Sequence, residues 1–165
     1  MTKKRLWLLL SCVATLLWIA FIFGNSMQSG AESGATSDTV TEWVNEVVGT
    51  LFPGFHISGY LIRKLAHFLE FALLSLLFCL DLTLLFSLRR KTSIRKAALV
   101  LLAIPASAII AMADETIQLF SDGRGPSLKD VLIDTCGAAF ACLIFFGVLC
   151  LMRLRRSRRD KPSNK

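Results

Sequence analysis

The chain has 165 residues, a net charge of +7 and a hydrophobic fraction of 54%, with a mean hydropathy of +0.59. Charged residues make up 19%, below the about one quarter usual in soluble domains. The apolar residues are gathered into runs as long as the about 20 helical residues that cross a bilayer, which leaves too little chain for a soluble domain.

The first run, 6–23, carries no formal charge and follows Lys3, Lys4 and Arg5. It exceeds the about 7–15-residue apolar core of a signal peptide and no A-x-A site follows it, so it reads as a retained anchor. Residues 24–64 then form a long connection. Its first part, GNSMQSGAESGATSD, is polar and rich in Gly and Ser. Thr39-Val40-Thr41-Glu42 has the S/T-x-x-E form of a capping box. Beyond it Val40, Trp43, Val44, Val47, Val48 and Leu51 recur at helical spacing, with Thr41, Glu42, Asn45 and Glu46 opposite. This predicts a short amphipathic helix on the membrane surface or over the bundle, ended by Pro53-Gly54.

The second run, 65–86, is interrupted by His67, Glu70 and Asp81. A basic loop containing Arg89, Arg90, Lys91, Arg95 and Lys96 separates it from the third run, 97–120, which holds Pro105, Asp114 and Glu115. The turn-rich segment Ser121–Pro126 follows, and Ser127 through Asp130 supplies an S-x-x-D cap to the fourth run, 131–152, which contains Asp134. Residues 153–165 are a basic tail. The five cysteines all fall inside the runs without a C-x-x-C pair and read as small packing residues. Asp81 reads as a local partner of the basic loop. The expected fold is a single domain over 1–165: an all-α membrane protein, a four-transmembrane-helix bundle with an extracytoplasmic amphipathic helix.

Four spans put fifteen of the nineteen Lys and Arg residues on one side, leaving Arg63, Lys64, Arg124 and Lys129 on the other. The positive-inside rule then places both termini and the middle loop in the cytoplasm. The tail is a topology signal that touches anionic lipid rather than nucleic acid.

Depth along the helices gathers the costly residues. Arg63, His67 and Glu70 share a face at i, i+4 and i+7, with Glu70 about 10 Å along the helix from Arg63. Asp114 lies about 9 Å below Phe120 and shares a face with Gln118. Asp134 lies about 10 Å in from Ser127, with Asp130 one turn above. Three helices thus carry acids to one level beneath the outer surface, and ionisable groups in spans face the protein interior and pair. Several of these residues also have plain structural readings: Asp130 as a helix-cap acid, Arg63, Lys64 and Lys129 as snorkelling anchors, Gln118 as an interhelical hydrogen bonder, and His67 as a packed residue bonded to a carbonyl.

Three blocks of sequence resemble the VanZ-like family of small bacterial membrane proteins. The first is Asn25-Ser26-Met27-Gln28-Ser29 with Ser33 and Ser37. The second is Arg63-Lys64-Leu65-Ala66-His67-Phe68-Leu69-Glu70-Phe71, similar to the family's R-K-x-A-H-F-x-E-Y, with Phe71 where the family often has Tyr. The third runs from Asp114-Glu115-Thr116-Ile117-Gln118 through Gly123-Arg124, Ser127 and Asp130 to Asp134-x-x-Gly137; Ala141 stands where a second small Gly is expected. The resemblance implies the bacterial cytoplasmic membrane and a link with the cell envelope, the family being named after a protein of teicoplanin resistance.

These features suggest an outer-leaflet site that binds or modifies a membrane lipid or a lipid-linked cell-wall component. Arg63, Lys64 and Arg124 suit phosphate or carboxylate. His67, Glu70 and Asp114 are the acid–base candidates, with His67 and Glu70 expected to pair. Asn25, Ser26, Gln28, Glu115, Gln118, Asp130 and Asp134 complete the expected lining. One histidine among carboxylates offers ligands for a divalent cation, but the spacing forms no recognised metal motif, so no metal ligand is assigned and the cofactor is left open. An enzyme, a non-enzymatic binder or accessory subunit of a cell-wall enzyme, and a small transporter all remain open, as does the oligomeric state.

The topology is testable with reporter fusions. A reporter after Gly34 is expected to be exported and one after Lys91 to stay in the cytoplasm; the reverse pattern would put the carboxylates on the wrong side for an outer-leaflet site.

Overall fold

The structure is a computed structural model that describes residues 2–88 and 98–159. Most of the basic loop and the end of the tail, including Lys161 and Lys165, lie outside the described residues. The elements are α1 (Lys3–Ser26), α2 (Gly30–Leu51), α3 (Gly59–Leu88), a 3-10 turn (Leu99–Leu102), α4 (Ala103–Gln118) and α5 (Leu128–Arg159), with no strand among the described residues. Four segments are long and apolar enough to cross a membrane: Lys3–Ser26, Gly59–Leu88, Leu99–Gln118 and Leu128–Arg155. Their ends at Ser26, Gly59, Gln118 and Leu128 share one end of the bundle, called the loop end below.

The burial pattern is that of a protein solvated by lipid. Leu16 and Leu17 are 66% and 67% exposed, whereas Asp114 and Asp134 are 1% and 0% exposed. Water would solvate such an arrangement poorly, and exposed large apolar residues on all four spans mark a membrane-facing surface. This is a multi-pass membrane protein. Ile22, Phe71, Leu74 and Ala111 form one apolar cluster, and Cys79, Val100, Ala103 and Cys142 form another. Phe71 sits fully buried in the first, where an apolar ring needs no polar partner.

The amphipathic helix starts earlier than the sequence suggests. Both Ser29-x-x-Glu32 and Thr39-x-x-Glu42 fit a capping box, and the helix uses the first: Ser29 Oγ accepts from Glu32 N at 3.2 Å, and Glu32 Oε2 accepts from Ser29 N at 3.0 Å. That second bond favours the charged carboxylate and holds Glu32 below the usual range. The Gly/Ser-rich stretch is therefore helical. Its hydroxyls are satisfied by the preceding turn: Thr36 donates to Glu32 O at 3.1 Å, Ser37 to Ser33 O at 2.8 Å and Thr39 to Ala35 O at 3.0 Å. Tertiary contact fixes the start, because Gly30 N donates to Asp122 O at 2.8 Å and a Cβ on Gly30 would meet Gly123 O at 2.6 Å. At the other end, Asn45 clamps the return loop by donating to Ile57 O at 3.0 Å and accepting from Ile57 N at 2.7 Å. Val40, Trp43, Val47 and Leu51 remain exposed.

The third span opens with a 3-10 turn, and Pro105 falls in the first turn of α4, where an α-helix leaves N–H groups without partners. Asp81 meets α1, where Thr15 Oγ1 donates to Asp81 Oδ2 at 2.7 Å; the basic loop expected to pair with it lies outside the described residues.

A close backbone approach joins α3 and α5. A Cβ built on Gly137 would lie 2.1 Å from Phe68 O, an atom of the α3 backbone. Small residues let transmembrane backbones approach in this way. Gly137→Ala is expected to lower stability by about 1–3 kcal/mol, the usual cost of overpacking, seen as a lower thermal midpoint of the detergent-solubilised protein. Gly147→Ala, whose Cβ would meet nothing within 4 Å, is the matched control.

Candidate functional site at the loop end

The site follows from helix depth and from the Gly137 contact. His67 precedes Phe68 on α3 and Asp134 lies three residues before Gly137 on α5, so the close approach sets them side by side. His67 Nδ1 stands 3.5 Å from Asp134 Oδ1. Asp114 of α4 reaches the same point: one ligand atom from each of His67, Asp114 and Asp134 lies within 4.8 Å of the other two. All three side chains belong to buried residues.

Asp114 is well supplied with donors. Ser26 Oγ donates to its Oδ1 at 2.5 Å and Gln118 Nε2 to its Oδ2 at 3.2 Å. Asp134 is not. Neither of its oxygens accepts a hydrogen bond, and His67 Nδ1 likewise has no hydrogen-bond partner.

The expected His67–Glu70 pair does not form. The α3–α5 approach gives His67 to Asp134, while Glu70 turns toward α1 and accepts from Asn25 Nδ2 at 3.3 Å. Trp18 Nε1 adds a bond to Glu70 O at 3.0 Å, which further ties α1 to this turn of α3. No sequence signal singled out Trp18 for this role.

Three other expected site residues, Lys64, Asp130 and Glu115, are spent on structure. Lys64 pairs with Asp130 and lies 5.2 Å over the Tyr60 ring. Glu115 accepts from Ser127 N at 2.6 Å and from Gln118 Nε2 at 3.2 Å. The cap at Ser127 explains why both arrangements arise. Ser127 Oγ accepts from Asp130 N at 3.3 Å, as the S-x-x-D motif predicts. In a complete capping box the Asp130 side chain would return to Ser127 N. Here Glu115 takes that donor, and Asp130 is released to hold Lys64.

Beside the trio lies a cavity of about 390 Å³ between α1, α2 and α3. Asn25, Ser26 and Gln28 line one side; Arg63, His67 and Glu70 line another; Arg124 also reaches it. Arg124 Nη1 is partly anchored, donating to Asn25 O at 3.1 Å. Arg63 has a buried Nε without a hydrogen-bond partner, and no ion pair engages it among the described residues. The α2 wall contributes Ser33, Thr36, Ser37 and Val40. None of these four was expected in the site: Ser33, Thr36 and Ser37 fall in residues 24–38, which read as a loop, and Val40 reads as part of a surface helix; the i, i+4, i+7 spacing of Ser33, Ser37 and Val40 was the available signal.

The VanZ/LLP1 family model matches residues 11–153. The chain belongs to the VanZ/LLP1 family. Comparison with curated proteins and with solved structures found no match.

Glu115 offers a test of the structural assignment. Glu115→Ala leaves Ser127 N and Gln118 short of an acceptor and is expected to cost about 1–3 kcal/mol, the penalty for an unsatisfied buried group. Thermal unfolding in detergent reads the loss, and ligand retention by the surviving folded fraction should match that of the unaltered protein.

Proposed function

We propose that this VanZ/LLP1-family protein lies in the bacterial cytoplasmic membrane with both termini in the cytoplasm, and that its cavity binds an anionic headgroup of a lipid or lipid-linked cell-wall component from the outer leaflet. The distribution of Lys and Arg supports the orientation, which turns the loop end outward.

The observation that carries the reading is Arg63. A guanidinium is costly to desolvate, and inside a membrane protein it is expected to face a partner or a polar ligand path. Arg63 lines a cavity of about 390 Å³ and has no ion pair among the described residues. A phosphate or carboxylate would supply what is missing, because a guanidinium presents paired donors to either group. Arg124 offers the remainder of its fork from the opposite wall, while Asn25, Gln28 and Ser37 suit the hydroxyls and amides of a headgroup. A cavity of this size fits a headgroup and leaves the acyl portion in lipid. Occupancy by a cell-wall precursor would connect this protein with glycopeptide susceptibility.

A second reading, modification of the bound headgroup, draws support from His67. It lines the cavity with its Nδ1 3.5 Å from the buried Asp134 carboxylate, and a small closure would give the pairing used by a general acid or base. His67→Ala separates the two: a binder keeps its ligand and its effect, whereas an enzyme keeps the ligand and loses the effect.

Purification in mild detergent followed by native mass spectrometry tests the binding. The unaltered protein is expected to retain an anionic lipid or lipid-linked species. Arg63→Ala should lower that retention at least tenfold, the loss of a charge-assisted pair of about 1.5–3 kcal/mol, with an unchanged thermal midpoint. Equal retention by both proteins would sink the proposal. Arg63 is the better site for the test because Arg124 also bonds the α1 backbone.

A further inference from the structure

The acids around the cavity are not evenly provided for. Asp130 has Lys64, and Glu115 has Ser127 N and Gln118. Glu70 has Asn25. Asp114 and Asp134 share His67 as their nearest cationic group, and Asp134 is 0% exposed with both oxygens lacking a donor. Even a protonated His67 would leave this trio with a net negative charge if both carboxylates are ionised. A buried carboxylate without donors is expensive, and a cation or a shared proton is the way to satisfy it.

We infer that His67, Asp114 and Asp134 bind a divalent first-row transition-metal ion, of the Zn²⁺ or Mn²⁺ class. Two carboxylates, a neutral imidazole and a divalent ion sum to zero charge, which is what a site in a membrane interior requires. The donor types agree, since imidazole suits transition metals and carboxylates suit the harder members of the series. The geometry agrees as well. His67 Nδ1 and Asp134 Oδ1 are 3.5 Å apart, close to the about 3.4 Å edge of a tetrahedron with ligand distances near 2.05 Å. The full set lies within 4.8 Å, so ligation closes the wider separations by up to about 1.4 Å, shared between two side chains.

Ser26 and Gln118 act as outer-sphere partners. Each donates to one oxygen of Asp114, at 2.5 and 3.2 Å, and so fixes the carboxylate as orienting groups do around metal ligands. Asp134 has no such donors, and both its oxygens remain free for the ion. Three protein ligands leave coordination positions for water or a ligand oxygen. The ion's role beside the cavity rests on the headgroup reading; the site itself rests on the trio alone.

The full chain, solubilised and stripped with EDTA, is to be dialysed against Zn²⁺ and separately against Mn²⁺, and bound metal measured by inductively coupled plasma mass spectrometry. About one ion per chain is expected, with at least tenfold weaker binding in Asp134→Asn and in His67→Gln. Mg²⁺ at equal concentration should compete poorly. Spin-echo spectroscopy of the Mn²⁺ form should show nitrogen coupling that His67→Gln removes, a signature no structural effect would mimic. No stoichiometric metal in the unaltered protein, or equal binding in folded variants, overturns the inference and assigns the trio a shared proton. Lipid retention measured in EDTA keeps the two proposals apart: retention without metal binding removes only the metal site, and metal binding without retention removes only the headgroup reading. Should Asp134→Asn fail to fold, His67→Gln and the metal content of the unaltered chain still decide.

Discussion

Gly137 lies so close to α3 that the hydrogen on its Cα is all the space allows, and the rest of the loop end is arranged around that contact. Between transmembrane helices the hydrophobic effect supplies little attraction, so association depends on close packing and on hydrogen bonds. Packing at Phe68 O fixes the rotation and the sliding position of α5 against α3 together. Once both are fixed, Asp134 has no choice of neighbour. It must face His67, and Glu70 is carried around toward α1. Ala138 and Ala141, both buried, continue the small-residue side of α5 beyond Gly137, so the Gly-to-Ala difference at Ala141 is absorbed within ordinary packing.

The interior has two tiers of different chemistry. One apolar cluster contains Cys79 and Cys142, whose sulfurs are 3.6 Å apart and which serve there as compact apolar groups. At the loop end the interior is acidic, and its stability depends on satisfying every polar atom. Most of the network meets that demand economically. Gln118 serves Asp114 and Glu115 at once, and Glu115 replaces Asp130 in a helix cap so that Asp130 can neutralise Lys64. Against that background the atoms left without partners stand out: both oxygens of Asp134, Nδ1 of His67 and Nε of Arg63. A network that satisfies Glu115 so fully has no structural reason to starve Asp134. Unsatisfied buried groups in an otherwise closed network are where a ligand or ion would enter.

What could be read from the sequence and what could not divide along a physical line. Depth is legible because the helical rise is fixed, so counting from the span ends brought His67, Asp114 and Asp134 to one level. Rotation is not legible, because it depends on which residue of a facing helix permits close approach. The His67–Glu70 pairing failed for that reason: i, i+3 spacing allows the contact, and Gly137 offers a better partner from another helix. Lys64 and Asp130 were both seen as site residues, but their mutual pairing needed the third dimension. The start of α2 was ambiguous in a different way. Two capping boxes fit the same stretch, and the choice went to Ser29 because Gly30 docks on the Asp122–Gly123 turn, a contact far away in sequence. Low helix propensity in the Gly/Ser stretch was a weak prior that tertiary contact overrode.

The basic and acidic halves of the site face different tasks, and two residues join them. Arg63 and Arg124 line the cavity, whereas Asp114 and Asp134 lie outside its lining. His67 belongs to both, lining the cavity and pairing with Asp134. Ser26 does the same: it lines the cavity, and its hydroxyl donates to Asp114. An anion drawn in by the guanidinium groups would meet repulsion from the carboxylates of Asp114 and Asp134 if both are ionised. Neutralising those carboxylates, by an ion or by protons, removes the repulsion and strengthens the attraction above. If the cavity takes the proposed headgroup, charge at the trio and occupancy of the cavity would be linked, and by reciprocity that headgroup would favour whichever state of the trio is least negative. His67 and Ser26 are where that linkage would act, because each lines the cavity and adjoins a carboxylate of the trio.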